Sequence, residues 1–213
     1  MATSIEIVEV SPRDGLQNEP EIISLESKRA LIERALGAGV RRIEVASFVN
    51  PKRVPQMAGA EELISMLPRR DDVTYIGLVM NMRGAERAFE TAIDELGAVV
   101  VASDSFAMRN QNQTSDESVA AAKEIIEAAK AAGRTANVTI GAAFGCPFEG
   151  EVSPDRVVDM AVRLAEAGPR EISLADTIGV GDPWRVAALV SRVREAVPGM
   201  ALRAHFHNTR NTG

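Results

Sequence analysis

The sequence predicts an α/β protein, a (β/α)8 barrel of which about seven βα units are present. Three observations carry that prediction. Short β-branched runs alternate with longer stretches rich in Ala, Glu, Arg and Leu, a strand–helix pair recurring every ~25–40 residues, the pattern of a parallel sheet with helical crossovers. No G-x-G-x-x-G follows the first strand run, which disfavours an open dinucleotide-binding sheet. The strand runs also alternate polar with apolar residues. Ile43 and Val45 oppose Arg42, Glu44 and Ala46, and Leu202, Ala204 and Phe206 oppose Arg203, His205 and His207. A barrel accounts for this, because one strand face meets the helices and the other points into a lumen where polar groups serve a site.

The strand runs are residues 5–10, 42–47, 73–79, 98–102, 136–143, 171–175 and 201–207, and the clearest helices span 24–36, 115–132, 153–167 and 183–197. Asp182 reads as an N-cap with Pro183 in the first helical position, Ser153-Pro154 repeats the device, and Gly133 and Gly168 stand where helices stop. Residues 103–115, with Asn110 to Gln113, read as a long polar loop that binds a ligand or is simply solvated. Met80, Met82 and Met108 read as packing residues. The expected organisation is one catalytic domain, 1–213. A complete barrel has eight strands over ~250 residues, so the chain reads as C-terminally incomplete and the natural polypeptide as longer.

The chain has 213 residues, 46% hydrophobic and 25% charged, with a formal net charge of -6. That acidic balance argues against a nucleic-acid partner. No run approaches the roughly eighteen apolar residues of a membrane span, and the start has no leader pattern. One cysteine cannot form an internal disulfide, so a cytosolic protein is expected.

Chemistry concentrates at a few positions. His205 and His207 are the only histidines. Two apart on a strand, they point to the same side, at the strand end where barrels carry their sites; otherwise one packs and the other is solvated. Ser11-Pro12-Arg13-Asp14-Gly15 closes the first strand. Asp-Gly reads as a turn, but in a closed barrel the first strand approaches the seventh, only the eighth intervening. Asp14 would then add an oxygen donor to two imidazoles, a set suited to Mg2+, Mn2+ or Zn2+. Arg13 would stand beside it as a fixed cation that stabilises developing negative charge. Glu44 is a lumen-facing carboxylate, acting directly or paired with Arg42, Arg13 or Arg203. Asp176 caps its loop or touches substrate. Cys146 reads as a packed thiol.

VEVSPRDGLQNEP, IEVASFVNPKRVPQM, GCPFEGEVSP, ISLADTIGVGDP and HFHNT occur in this order, and with them nearly the whole chain resembles the 3-hydroxy-3-methylglutaryl-CoA lyase family of metal-dependent aldolase-like barrels. Related isopropylmalate and homocitrate synthases share Arg-Asp-Gly and His-x-His but usually read DGEQ. The resemblance implies divalent-metal-dependent cleavage of a 3-hydroxy-3-methylglutaryl thioester to acetyl-CoA and acetoacetate. It implies Asp14, His205 and His207 as metal ligands, Arg13 as the catalytic arginine, and Glu44 and Asp176 as active-site acids, with His205 or Asp176 taking the hydroxyl proton. The family's catalytic cysteine and a further Asn ligand fall beyond Gly213, so Cys146 inherits no role. Thr139 and Gly141 replace bulkier, more polar residues of the best-known members, which opens the substrate to other branched 3-hydroxyacyl-CoAs. Charge and position suggest Lys52, Arg53 and Arg109 for the CoA phosphates. Family members are usually dimers or larger, so a homo-oligomer is expected. The alternatives are a Claisen-type synthase on the same barrel and a non-catalytic fragment that binds metal or CoA.

Overall fold

The computed structural model describes residues 5–211. Seven strands hydrogen-bond in chain order: β1 (Val8–Glu9), β2 (Arg42–Ser47), β3 (Thr74–Val79), β4 (Glu95–Val101), β5 (Thr135–Gly141), β6 (Ile172–Asp176) and β7 (Leu202–Phe206). Seven α-helices connect them among the described residues, two of them between β4 and β5: α1 (Leu25–Gly37), α2 (Ala60–Ser65), α3 (Met82–Phe89), α4 (Asp104–Gln111), α5 (Ser115–Ala131), α6 (Pro154–Ala165) and α7 (Pro183–Ala196). The pairs β1–β2, β2–β3, β5–β6 and β6–β7 are parallel. Neighbours that follow chain order with helical crossovers are the connectivity of a (β/α)8 barrel. No described helix is long and apolar enough to cross a membrane. The chain divides into two compact units, residues 1–79 with 83–96, and 80–82 with 97–213.

Local chemistry sets the helix ends. The Ser24 hydroxyl accepts the Ser27 N–H ahead of α1. Thr114 and Glu117 form a capping box on α5, and Asp182 accepts the Trp184 and Arg185 N–H groups with Pro183 opening α7. At the end of α5, Gly133 (φ 69°) sends its N–H to Lys130 while Arg134 sends its own to Ala129. This two-bond stop needs a left-handed residue, and glycine adopts that conformation without strain.

In the first unit, β2 is buried at all six positions. Ile43 and Val45 pack in the apolar core with Ile32, Leu36 and Leu63. Arg42 is buried with Glu95, its Nε 3.0 Å from Oε2 and its Nη2 on Oε1, and its Nη1 lies 3.1 Å from Glu6. Removing one partner strands the other charge, so Arg42→Met is expected to cost about 3–5 kcal/mol. The double change Arg42→Met/Glu95→Leu is expected to recover most of it. Urea melts of the two variants check this: a double variant as unstable as the single one contradicts it.

One alternation differs from the sequence reading. The β2–β3 register slips between Glu44 and Ala46, so Glu44 faces Ile76 and Ser47 faces Leu78. Beyond this bulge the parity changes, and Ser47, not Ala46, shares the face of Arg42 and Glu44. The first strand is also shorter than 5–10. Val10 leaves extended geometry (ψ -2°), and Ile5 and Ile7 are exposed.

In the second unit, Val138, Ile140, Ile172 and Leu174 form a fully buried apolar face, met by Ile125, Ile126, Met160, Leu164 and Val193. The opposite face is polar and lies in level rows. Thr139, Ser173 and Arg203 share one row, and Ala175 is level with His205. Residues 104–111 form α4 where a loop was expected; Gln111 donates to the Val99 carbonyl and Asn112 (φ 55°) ends the helix. Met108 is exposed, a correction to its reading as a packing residue, whereas Met80 and Met82 are half-buried.

Candidate active site

The first unit contributes a cluster built by a π-helical turn. Residues Ser11–Gly15 wind one wide turn, marked by the Leu16 N–H on the Ser11 carbonyl five residues back, and the Val10 carbonyl before it accepts the N–H groups of both Arg13 (3.1 Å) and Asp14 (2.7 Å). Pro12 starts the turn, where its missing N–H costs nothing. Such single wide turns are frequent at functional sites. Here it turns two adjacent side chains toward each other: Arg13 Nη1 donates to Asp14 Oδ1 at 2.7 Å, while Arg13 Nε donates to Glu44 Oε1. Burial alone would lower the Arg13 pKa. The Glu44 and Asp14 carboxylates outweigh it, and the net direction is upward. Of the partners open to Glu44, Arg13 is the one it takes. Ser47, at the end of the same strand face, was missed in the sequence. Among the described residues its buried hydroxyl has no hydrogen-bond partner, and the bulge that turns it there leaves no sequence signature.

Lys52 and Arg53 lie in the exposed turn after β2, whose backbone folds onto Asn50.

The second unit contributes the histidines. His205 Nε2 and His207 Nε2 stand 3.3 Å apart, with the rings edge to face. His207 Nδ1 is 2.8 Å from the Thr177 carbonyl and 3.2 Å from that of Asp176. A carbonyl only accepts, so Nδ1 carries the hydrogen and Nε2 keeps its lone pair. That is the tautomer a metal ligand requires, held by a backbone partner. The two Nε2 atoms, 3.3 Å apart, are the nitrogens that a shared cation would take. The residues present therefore fit a divalent metal.

Asp176 is buried, and both its oxygens accept backbone N–H groups, Oδ1 from Val180 (2.9 Å) and Oδ2 from Gly181 (2.8 Å). It is in register with Phe206, not with a histidine. Its carboxylate thus shapes the loop whose carbonyls orient His207. Thr177 was not singled out in the sequence. Besides its carbonyl on His207, its hydroxyl accepts the N–H of Ala142, which sits in a left-handed conformation (φ 56°) just after β5. Only its adjacency to Asp176 could have drawn attention to it.

Cys146 is the packed thiol expected. Its sulfur is buried, 2.9 Å from the Ser103 hydroxyl and 3.4 Å from the N–H groups of Phe148 and Glu149. Arg109 lies on α4, its guanidinium 4.3 Å above the Phe148 ring.

Comparison with known proteins agrees with this architecture. The HMGL-like family model matches residues 4–213. The (R)-citramalyl-CoA lyase of Chloroflexus aurantiacus is 43% identical, covering 99% of this chain and 69% of its own length. The hydroxymethylglutaryl-CoA lyase of Pseudomonas mevalonii is 40% identical over 97% of this chain and 68% of its own. Among solved structures, the Pseudomonas aeruginosa hydroxymethylglutaryl-CoA lyase superposes with a TM-score of 0.91 at 40% identity, over 96% of this chain and 68% of that one. The Acinetobacter baumannii HMG-CoA lyase, in complex with coenzyme A and 3-methylmalate, gives 0.93 at 38% identity, over 98% and 68%. Strand order and similarity define a (β/α)-barrel enzyme of the carbon–carbon lyase class. More particularly, the chain belongs to the HMGL-like family, and it spans about two thirds of the length of these relatives.

Proposed function

We propose that the protein cleaves a 3-hydroxy-3-methylglutaryl-CoA-type thioester, or a related branched 3-hydroxyacyl-CoA, to acetyl-CoA and a ketoacid, with one divalent cation held by Asp14, His205 and His207. The single observation that carries this reading is the histidine pair, its Nε2 atoms 3.3 Å apart and the His207 Nδ1 hydrogen held by a backbone carbonyl. A carboxylate with two imidazoles suits Mg2+, Mn2+ or Zn2+. When bound, such an ion supplies Lewis acidity that lowers the pKa of a substrate hydroxyl.

The chain's own residues do the rest. Arg13, half-buried and permanently charged, stabilises the thioester enolate as the carbon–carbon bond breaks. Glu44 positions Arg13 through its ion pair. Asp176 has both oxygens turned to amides of its own loop. The candidates for removing the hydroxyl proton are His205 and Asp176: a His205 bound to the ion through one nitrogen carries a hydrogen on the other and accepts a proton only when off the ion, whereas each Asp176 oxygen keeps a second lone pair. Lys52, Arg53 and Arg109 supply cations for the CoA phosphates. The protein acts as a homodimer in the cytosol.

The relative named (R)-citramalyl-CoA lyase, at 43% identity, favours a second substrate within the same chemistry. Acetyl-CoA release from hydroxymethylglutaryl-CoA and from citramalyl-CoA, with Mg2+ or Mn2+, tests both. Metal-dependent release from one of them is expected. Consumption of acetyl-CoA with a 2-ketoacid and no cleavage would make the protein a synthase.

A further inference from the structure

The second unit shows an aromatic patch that the chemistry above leaves unused. Phe148 and Met108 are 48% and 47% exposed, large apolar side chains left in solvent. Phe148 is nevertheless held firmly. Its loop closes by reciprocal backbone bonds between Cys146 and Gly150 (2.7 and 3.0 Å), and Phe148 N–H donates to Cys146 Sγ at 3.4 Å. Glu149 Oε1 accepts the Ser105 N–H at 2.6 Å, which ties the loop to α4. Phe106 meets the Phe148 ring edge to face, centroids 5.6 Å apart. Arg109 lies 4.3 Å over that ring.

Arg109 makes no ion pair with any described residue, and the nearby acids are taken. Asp104 accepts from Ser115 and pairs with Arg156, and Glu149 accepts from Ser105. A rigid ring with surface to spare and an exposed guanidinium stacked on it is a platform for a planar π-system attached to an anion. The patch follows β4 and β5, so it lies at the C-terminal ends of the strands, as the histidines do at the end of β7. That end carries ligands in parallel α/β folds.

We infer that Phe148, buttressed by Phe106, stacks the adenine of the CoA thioester, and that Arg109 meets the phosphates of the same nucleotide. The inference rests on the acyl-CoA reading above and goes further by naming which part of the carrier is recognised and by what.

Calorimetric titration of the full chain with CoA, 3′-dephospho-CoA and pantetheine tests it. Stacking of one base is worth a roughly 10- to 100-fold change in affinity. Phe148→Ala is expected to weaken CoA and dephospho-CoA by that factor and to leave pantetheine unchanged, with Phe148→Tyr restoring the loss. Arg109→Ala is expected to weaken CoA and to flatten the salt dependence of its binding. Circular dichroism melts report folding, and the Tyr variant serves if the Ala variant is unstable. Wild-type CoA affinity in Phe148→Ala overturns the inference alone. So does unchanged CoA affinity with a smaller oligomer, which would make the patch a protein interface. A wild-type chain that binds no CoA overturns the acyl-CoA reading, and this inference with it.

Discussion

Replacing Arg13 by Gln is expected to lower acetyl-CoA release by ~10²–10³-fold, the usual loss when one preorganised electrostatic donor is removed. The structure adds a second expectation. The Glu44 side chain is only 5% exposed and gives its carboxylate to Arg13. Without that cation it becomes a buried charge lacking its partner, a change that typically costs about 3–5 kcal/mol. The Gln amide restores one hydrogen bond, so the loss falls at the lower end. The two effects separate in the double variant Arg13→Gln/Glu44→Gln. Stability, read by urea denaturation, should largely return because Glu44 no longer holds a buried charge and Asp14, which also loses Arg13, is more exposed. Turnover should stay low because nothing cationic faces the enolate. Full turnover in either variant removes Arg13 from the chemistry.

Replacing His207 by Ala is expected to remove Mn2+ binding and acetyl-CoA release together. Loss of an outer partner of a ligand typically costs 10–100-fold in metal affinity; loss of the ligand should cost more. The fold should tolerate it, since His207 is half-buried beyond the last residue of β7 and its ring rests on two loop carbonyls. Electron paramagnetic resonance of Mn2+ during titration measures the effect, with thermal melts as the control. Binding at wild-type affinity would place the cation elsewhere.

Much of the frame was legible because period and punctuation are local. The seven strand runs and the Asp182–Pro183 start of α7 depend only on neighbours in sequence, and the structure places elements there, although Ser153 opens α6 without a side-chain cap bond. The His-x-His spacing was legible for the same reason: alternation on a strand puts both rings on one side. What escaped notice depends on tertiary context. The bulge at β2 exchanges Ser47 for Ala46, and no residue type marks it. The exposure of Ile5 and Ile7 contradicts their β-branched identity, because the chain leaves the strand after Glu9. Short α4 hides in a polar segment because its ends are fixed by partners outside it: Gln111 by the Val99 carbonyl, Asp104 by the Ser115 N–H. For Glu44 and Asp176 the sequence offered two roles each. The contacts they make, Glu44 with the Arg13 guanidinium and Asp176 with two loop amides, depend on the fold and not on neighbours in sequence.

The wide turn at Ser11–Gly15 bears on how this lineage can vary. Deleting one residue there would tighten the coil to an ordinary α-turn and swing whatever follows by about 100°. Arg13 would lose Glu44, and Asp14 would aim elsewhere. Substitution at solvent-facing neighbours is tolerable, but a change of length is not, so descendants of this chain should keep that stretch at constant residue count even where adjoining loops grow or shrink.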